Sequence, residues 1–270
     1  MERIEKIIGA AKKYNLCGDF LKAVYGISSE EQFDGFVIAP GWVPEKILAK
    51  YEPKIEVISV KAGYSSYIVE FDGVKLAWIK CGVSSSNVID ATVSLADACA
   101  APVIFLGAVG ALNADVAVGE LCTPLESYAF DGASLYLHEK IDSENFGRTV
   151  VPGCREYIDE VIGKAGKKNI ELTRRRTFCT DSIICEYAHL DEIKLTGAEL
   201  IEMETAAFYE CLKMMGRKGI ALLCVSDNSA SGVPLVQRTP EQRKRYDECR
   251  SHDIPEVIKI ACECWLTLYM

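Results

Sequence analysis

Short apolar runs alternate along the chain with segments of helical periodicity. One apolar run, 36–39, ends at Pro40-Gly41, and a helix is predicted over 44–51 because proline is tolerated in a first helical turn. Alternation of this kind is typical of an α/β fold in which helices cover a parallel or mixed sheet. We therefore expect a mixed central β-sheet flanked by helices in a three-layer sandwich.

Two segments refine this expectation. Apolar runs over 67–71 and 74–79 flank Asp72-Gly73, which predicts a β-hairpin because Asp-Gly suits the positive φ angles of a tight turn. Apolar residues recur at helical spacing over 254–268, which predicts a long final helix with one face on the body of the protein.

The middle of the chain predicts a helix followed by a strand. The polar run 84–87 precedes a helical pattern over 88–100, so one of its side chains is expected to cap that helix. The next strand, 102–106, is predicted to end in a glycine-rich turn over 107–110, where small residues allow close approach of a ligand or simply a tight turn.

Length and charge limit the functional classes. A chain of 270 residues with 49% apolar residues fits one α/β domain over 1–270, with 1–34 as an N-terminal helical extension. The formal charge of −9 argues against nucleic acid as a partner. Charged residues interrupt the apolar ones over 1–14, so neither a signal peptide nor a membrane anchor is expected, and a cytoplasmic location follows.

Cysteine and histidine give no metal signal. None of the twelve cysteines forms a Cys-x-x-Cys pair, and most lie in apolar runs where Cys acts as a small hydrophobe, so reduced core thiols are expected. The three histidines have no ligand spacing, and no metal site or cofactor is predicted. The basic run 174–176 is interpreted as solvated surface.

Two acidic motifs carry the candidate chemistry. Glu202-Met203-Glu204 precedes a helical pattern, and a carboxylate there can accept two hydrogen bonds from a vicinal diol. Ser226-Asp227 follows the apolar run 220–225, where an acid can be partly desolvated and share a proton. The alternative is structural: acids in a first helical turn favour the helix dipole, and Asp227 could cap a turn.

Taken in order, these motifs resemble the purine nucleoside phosphorylase and uridine phosphorylase superfamily, over most of the chain. The resemblance rests on Pro40-Gly41, the 107–110 segment, the run 130–135, Glu202-Met203-Glu204 and Ser226-Asp227. It implies cleavage of the N-glycosidic bond of a nucleoside, with phosphate as co-substrate giving free base and ribose 1-phosphate. It also implies a homo-oligomer, either a dimer or a hexamer.

The resemblance assigns roles to individual residues. It implies that Glu204 holds the ribose hydroxyls, that Met203 packs under the sugar, and that Asp227 shares a proton with N7 of a purine as the bond breaks. Uridine-type members usually lack the Ser-Asp pair, so a purine is favoured. The expected nucleoside site also includes further residues: Glu202, Val109, Gly110 and Ser226.

The phosphate site departs from the family pattern. Phosphorolytic members hold the anion with arginines and a serine near the glycine-rich turn. The corresponding positions here are Glu45-Lys46, Lys61-Ala62, Phe105 and Ala108. Lysine can substitute as a point charge but lacks the bidentate fork of arginine. The expected phosphate-binding residues are Gly41, Lys46, Ser84 and Ala108.

Two alternatives remain open. The first is a nucleosidase, in which water attacks the same carbon and a carboxylate such as Glu45 orients it. The second is a degenerate member that binds a nucleoside without turnover. The polar segment 228–253 is long enough to form a lid, and any of its four arginines could assist catalysis: Arg238, Arg243, Arg245 and Arg250.

Overall fold

The computed structural model describes residues 2–15, 18–234 and 237–269. Its helices are α1 (Glu2–Asn15), α2 (Phe20–Tyr25), α3 (Pro44–Ile47), α4 (Ser85–Val93), α5 (Arg155–Lys167), α6 (Leu190–Leu195), α7 (Thr205–Met215), α8 (Pro240–Glu248) and α9 (Ile254–Tyr269). Its strands are β1 (Gly35–Ala39), β2 (Lys54–Lys61), β3 (Tyr64–Phe71), β4 (Val74–Lys80), β5 (Val103–Ala111), β6 (Leu121–Ala129), β7 (Arg148–Val150), β8 (Leu172–Cys179), β9 (Leu200–Glu202) and β10 (Gly219–Asn228).

The strands form one mixed sheet in the order β10-β6-β8-β9-β5-β1-β4-β3-β2, with β7 paired to β6. Strand β10 also pairs with β5, so β5, β10, β6, β8 and β9 close into a ring. Parallel pairs lie at the centre, and β2, β3 and β4 form an antiparallel extension. The predicted mixed sheet with flanking helices is confirmed.

Local predictions have mixed outcomes. The hairpin is confirmed, since β3 and β4 pair antiparallel with Phe71 opposite Val74, and α9 is the predicted final helix. The two other predicted helices are divided: 44–51 is α3 followed by a 3₁₀ turn at Ala49–Tyr51, and 88–100 is α4 followed by a 3₁₀ turn at Ser94–Asp97.

The predicted turn over 107–110 is wrong, because β5 continues through it to Ala111. Strand β10 pairs alongside, with Gly107 opposite Leu223 and Gly110 opposite Asp227, so the backbone of the segment is fixed as a strand. Gly107 is needed for packing, since an added Cβ would lie 2.8 Å from the ring of Phe105.

Every residue of β10 is buried, including its polar end Ser226-Asp227-Asn228.

The eleven cysteines of the described chain are free thiols, and nine of them are buried. The basic run 174–176 is not a free solvated surface as expected, because each arginine is paired with an acid: Arg174 with Asp159, Arg175 with Glu120 and Glu199, and Arg176 with Glu126. The helices in the described ranges are too short or too polar to cross a membrane.

Candidate active site

A cavity of about 300 Å³ opens beside the ends of β1, β5, β9 and β10. Ligand sites of α/β proteins commonly lie at strand ends, where loops from several strands meet. Nine of the residues predicted from sequence line it together: Gly41, Ala108, Val109, Gly110, Glu202, Met203, Glu204, Ser226 and Asp227. The candidate acids and the glycine-containing segments therefore share one site, although they are far apart in sequence.

Glu204 lies immediately before α7 and is only 6% exposed. Its Oε1 accepts a hydrogen bond of 2.9 Å from the backbone N–H of Ser84. Burial, together with the charge of Glu202, raises the pKa of Glu204 to about 8. A buried carboxyl group of this kind gains from hydrogen-bond donors on a ligand, such as the two hydroxyls of a ribose.

Glu202 has a different role from the one expected. Its Oε2 accepts hydrogen bonds from the backbone N–H groups of Glu204 (2.7 Å) and Thr205 (2.8 Å), and its Oε1 accepts from the Thr205 hydroxyl and the Cys179 thiol. Four donors of the protein therefore occupy this carboxylate. Glu202 lines the cavity, but it stabilises the start of α7 and is not free to bind a nucleoside.

Asp227 lies at the end of β10, and its Oδ1 accepts a hydrogen bond of 2.5 Å from the hydroxyl of Ser226. Burial raises the pKa of Asp227, against the opposing effects of the Ser226 hydroxyl and the charge of Arg238. The other carboxylate oxygen lies close to Gly110, where an added Cβ would be only 3.1 Å away. Gly110 thus leaves room for a carboxyl group that holds its proton more firmly than an exposed aspartate does, because burial raises its pKa.

Ser84 combines capping with backbone strain. Its side chain caps α4 by accepting from the N–H of Asn87, as expected from the sequence. Its φ of 134° and ψ of 153° lie in a region that residues other than glycine rarely adopt. This conformation directs the Ser84 N–H to Glu204, whereas the predicted phosphate-binding hydroxyl is hydrogen-bonded to Ser86 and is not part of the cavity lining.

Lys46 is not at the site. Helix α3 buries Pro44 and Ile47, so Glu45 and Lys46 on the opposite side of this short helix are exposed and do not line the cavity. The structure thus does not bring Lys46, predicted to bind phosphate, or Glu45, the candidate for orienting a water, to the other predicted site residues. Among the described residues that line the cavity, there is neither a lysine nor an arginine.

The structure adds an acid that sequence reasoning missed. Glu186 lies in a 3₁₀ turn, Cys185–His189, that follows β8 and lines the cavity together with Tyr187. Burial and the charge of Asp227 raise the pKa of Glu186 to about 7. The residue carries no local sequence signal, because only the path of the loop after β8 brings it beside Asp227.

The segment after β10 begins with a turn in which Asn228 pairs with Val233, and it is helical from Pro240 onward. Thr239 and Gln242 form a capping box at the start of α8, and a π-helical turn at Cys249–Asp253 leads into α9. Of its four arginines, Arg238 is the one next to the acid motif: its Nε donates to the carbonyl of Ser226, and its guanidinium stacks on Tyr246 at 4.1 Å.

The conspicuous run 130–135 is structural. Asp131 is fully buried, and its carboxylate accepts from the backbone N–H and the hydroxyl of Ser134, which fixes the following 3₁₀ turn. Neither residue lines the cavity. Within the described part of the chain, no three metal-ligating side chains come together to form a metal site.

Comparison with known proteins gives a consistent family match. The model of the phosphorylase superfamily matches residues 35–253. A DeoD-type purine nucleoside phosphorylase of Bacillus velezensis is 24% identical over 143 residues, which is 52% of this chain and 57% of that protein. The match thus spans little more than half the length of this relative.

Solved structures of the same fold carry different activities. Purine nucleoside phosphorylase from Toxoplasma gondii in complex with immucillin-H superimposes with a TM-score of 0.70 at 17% identity, covering 90% of this chain and 95% of that one. AMP nucleosidase from Bacteroides thetaiotaomicron superimposes with a TM-score of 0.64 at 17% identity, covering 89% and 94%. At these identities the likeness establishes the fold alone.

Proposed function

Because the chain belongs to the phosphorylase superfamily, we propose that it cleaves the N-glycosidic bond of a purine nucleoside. The observation that carries this proposal is the meeting of Glu204, Met203 and Asp227 around one cavity of about 300 Å³. In the proposed complex, Glu204 accepts hydrogen bonds from the ribose hydroxyls and Met203 packs against the sugar.

Asp227 is the proposed proton donor. Cleavage of the C–N bond leaves negative charge on the departing base, and a proton delivered to N7 of a purine removes it. The raised pKa of Asp227 supports this role, since it favours the protonated form that can donate. A pyrimidine has no N7, so this pairing favours purines over uridine.

The lack of a lysine or arginine among the described lining residues favours water as the acceptor. Four acids line the cavity, Glu186, Glu202, Glu204 and Asp227, and the described lining residues supply no cation to hold a phosphate dianion. The sugar becomes positively charged as the bond breaks, and the carboxyl oxygens of the cavity can stabilise that charge. An anionic nucleophile would find no cationic side chain among the described lining residues. Phosphorolysis, the first expectation from the sequence, would need cations from elsewhere, such as a neighbouring subunit.

The test measures base release from adenosine, inosine, guanosine and uridine, with phosphate present and rigorously removed. We expect purine release without phosphate, with free ribose as the second product. Strict phosphate dependence with formation of ribose 1-phosphate would instead establish phosphorolysis. Release of no base under any condition would contradict the proposed activity.

Asp227→Asn tests the proton donor. The amide preserves shape but cannot donate a carboxyl proton, so we expect turnover to fall by about 10²–10⁴-fold while nucleoside affinity changes by only a few fold. Asp191→Asn, at an exposed position of α6, is the matched control and should leave both unchanged. Full turnover by Asp227→Asn would show that the proton comes from another group.

A further inference from the structure

Glu186 is the one acid of the cavity that neither the sequence motifs nor the proposed reaction uses. Its backbone N–H donates to the carbonyl of Ser182 at 3.0 Å, which fixes the turn that carries it. Its side chain is partly buried and lines the cavity, and no group in the described ranges donates a hydrogen bond to its carboxylate. A partly buried carboxylate without a donor is energetically costly, and a donor on a ligand would offset that cost.

The position of Glu186 follows from its neighbour. Glu186, Tyr187 and Asp227 line the same cavity. The charge of Asp227 contributes to the raised pKa values of Glu186 and Tyr187. Glu186 therefore belongs to the part of the cavity where the base would bind, beside the proposed proton donor. In this position Glu186 would contact the base of the nucleoside and not the attacking nucleophile.

The chemistry of a purine defines what Glu186 would contact. N7 and the 6-substituent lie next to each other on one edge of the ring, with a 6-amino donor in adenine and a 6-oxo acceptor in guanine or hypoxanthine. A purine that places N7 at Asp227 directs its 6-substituent to the neighbouring part of the wall. Above its pKa of about 7, Glu186 is a carboxylate, which accepts a hydrogen bond from an amino group and repels a carbonyl oxygen.

We propose that Glu186 selects 6-aminopurine nucleosides over 6-oxopurine nucleosides by accepting a hydrogen bond from the exocyclic amino group. This inference rests on the proposed function, because it uses the orientation that Asp227 imposes on the base. Hydrogen-bonded readout of a base edge commonly discriminates by about 10- to 100-fold, so a preference of that size for adenosine over inosine is expected.

The experiment compares three substrates: adenosine, inosine and purine riboside. Purine riboside differs from adenosine only by a hydrogen at position 6, whereas inosine carries a 6-oxo group together with a hydrogen on N1. For the wild type we expect kcat/KM for adenosine to exceed that for inosine by at least about 10-fold. In Glu186→Gln the amide can rotate and donate to the 6-oxo group, so the adenosine-to-inosine ratio should fall by about 10-fold or more. The ratio of adenosine to purine riboside should also fall in Glu186→Ala.

Glu192→Gln is the matched control, because Glu192 is highly exposed on the next helix and does not line the cavity. It should keep the wild-type ratios. A wild-type preference for inosine, or an unchanged adenosine-to-inosine ratio in Glu186→Gln, would overturn the assignment. A general loss of rate with unchanged ratios would also overturn it, since that result would mean that Glu186 affects catalysis without reading the base.

Binding of the free bases separates this inference from the proposed function. Dissociation constants for adenine, hypoxanthine and purine are measured with the wild type and Glu186→Gln. If adenine binds with a preference that Glu186→Gln removes, yet no nucleoside is cleaved, the proposed activity fails and the assignment of Glu186 stands. If none of the bases binds the wild type, the assignment fails as well.

Discussion

At the scale of single residues, a substitution of Gly110 would show how far catalysis depends on the position of the Asp227 carboxyl group. An added Cβ at Gly110 would lie 3.1 Å from Oδ2 of Asp227 and 3.2 Å from a methyl group of Ile201. Gly110→Ala must therefore shift the carboxyl group or the strand. Because small misplacements of a reacting group can cost about 10²-fold in rate, we expect kcat to fall by about 10- to 100-fold with little change in thermal stability.

Gly41 provides the control for this substitution. It lines the same cavity, but an added Cβ there would meet no atom within 4 Å. Gly41→Ala should therefore keep kcat within a few fold of the wild type. Equal losses in the two variants would show that the cavity tolerates no added methyl group, and that the contact with Asp227 is not the cause.

Ser84 is a second single residue with a defined prediction. Its backbone conformation costs on the order of 1–3 kcal/mol for a residue with a side chain, whereas glycine adopts it freely and caps a helix almost as well as serine. We expect Ser84→Gly to stabilise the protein by about 1 kcal/mol and to keep the Glu204 contact, which uses the backbone N–H. Ser84→Ala keeps the strain and loses the cap, so it should destabilise by a similar amount; urea unfolding of both variants measures the difference.

At the scale of elements, the start of α7 depends on Glu202. Residue Glu204 directly precedes the helix but provides no side-chain cap, and the Glu202 carboxylate accepts from the N–H groups of Glu204 and Thr205 instead. Glu202→Gln replaces one acceptor oxygen by an NH₂ group among donors, so we expect a loss of roughly 1–3 kcal/mol in unfolding free energy. Activity should also fall, because the same backbone positions Glu204.

Urea unfolding together with turnover checks this expectation, with Glu171→Gln at an exposed position as the control. Wild-type stability combined with lost nucleoside affinity in Glu202→Gln would return Glu202 to the direct binding role expected from the sequence.

The same elements show what the sequence could and could not predict. The hairpin at Asp72-Gly73 and the long α9 follow from local patterns, and both were predicted. The extension of β5 through 107–110 was not, since its glycines indicate a turn unless the pairing with β10 is known. The motif Glu202-Met203-Glu204 indicated a site. Only the fold shows that hydrogen-bond donors of the protein bind the Glu202 carboxylate, whereas Glu204 accepts from the N–H of Ser84.

At the scale of the whole molecule, the site depends on long-range pairing. Strand β5 pairs with both β9 and β10, which closes the ring of strands and brings Gly110 beside Asp227. Motifs that carry their own signal, such as Glu204 and Asp227, could be found in the sequence. Glu186 could not, because its place in the cavity depends on the course of the loop after β8.

The ionisation of the whole protein leads to a prediction of stability against pH. Burial raises the pKa of Glu204 to about 8 and that of Glu186 to about 7. Glu256 shows the opposite shift: despite partial burial, hydrogen bonds from Lys259, Lys168 and Tyr51 lower its pKa to about 2. These two kinds of group make stability depend on pH in opposite directions.

Between about pH 4.5 and 8 the folded protein holds a proton on Glu204 that the unfolded chain releases, so stability falls as pH rises through this window. For Glu204 the loss is complete once the pH exceeds its folded-state pKa of about 8. Below about pH 4.5 Glu256 is protonated in the unfolded chain but stays ionised in the folded protein, because its folded-state pKa is about 2. Stability therefore falls as pH decreases.

Unfolding free energy measured by urea at a series of pH values should therefore be greatest near pH 4.5–5.5 and decline on both sides. In Glu204→Gln the side chain no longer titrates, so the decline between pH 5 and 8 should become smaller while the acid side stays unchanged. Parallel curves for the wild type and Glu204→Gln would mean that Glu204 is ionised in the folded protein at neutral pH, and that the cavity contains a donor or cation that compensates its charge.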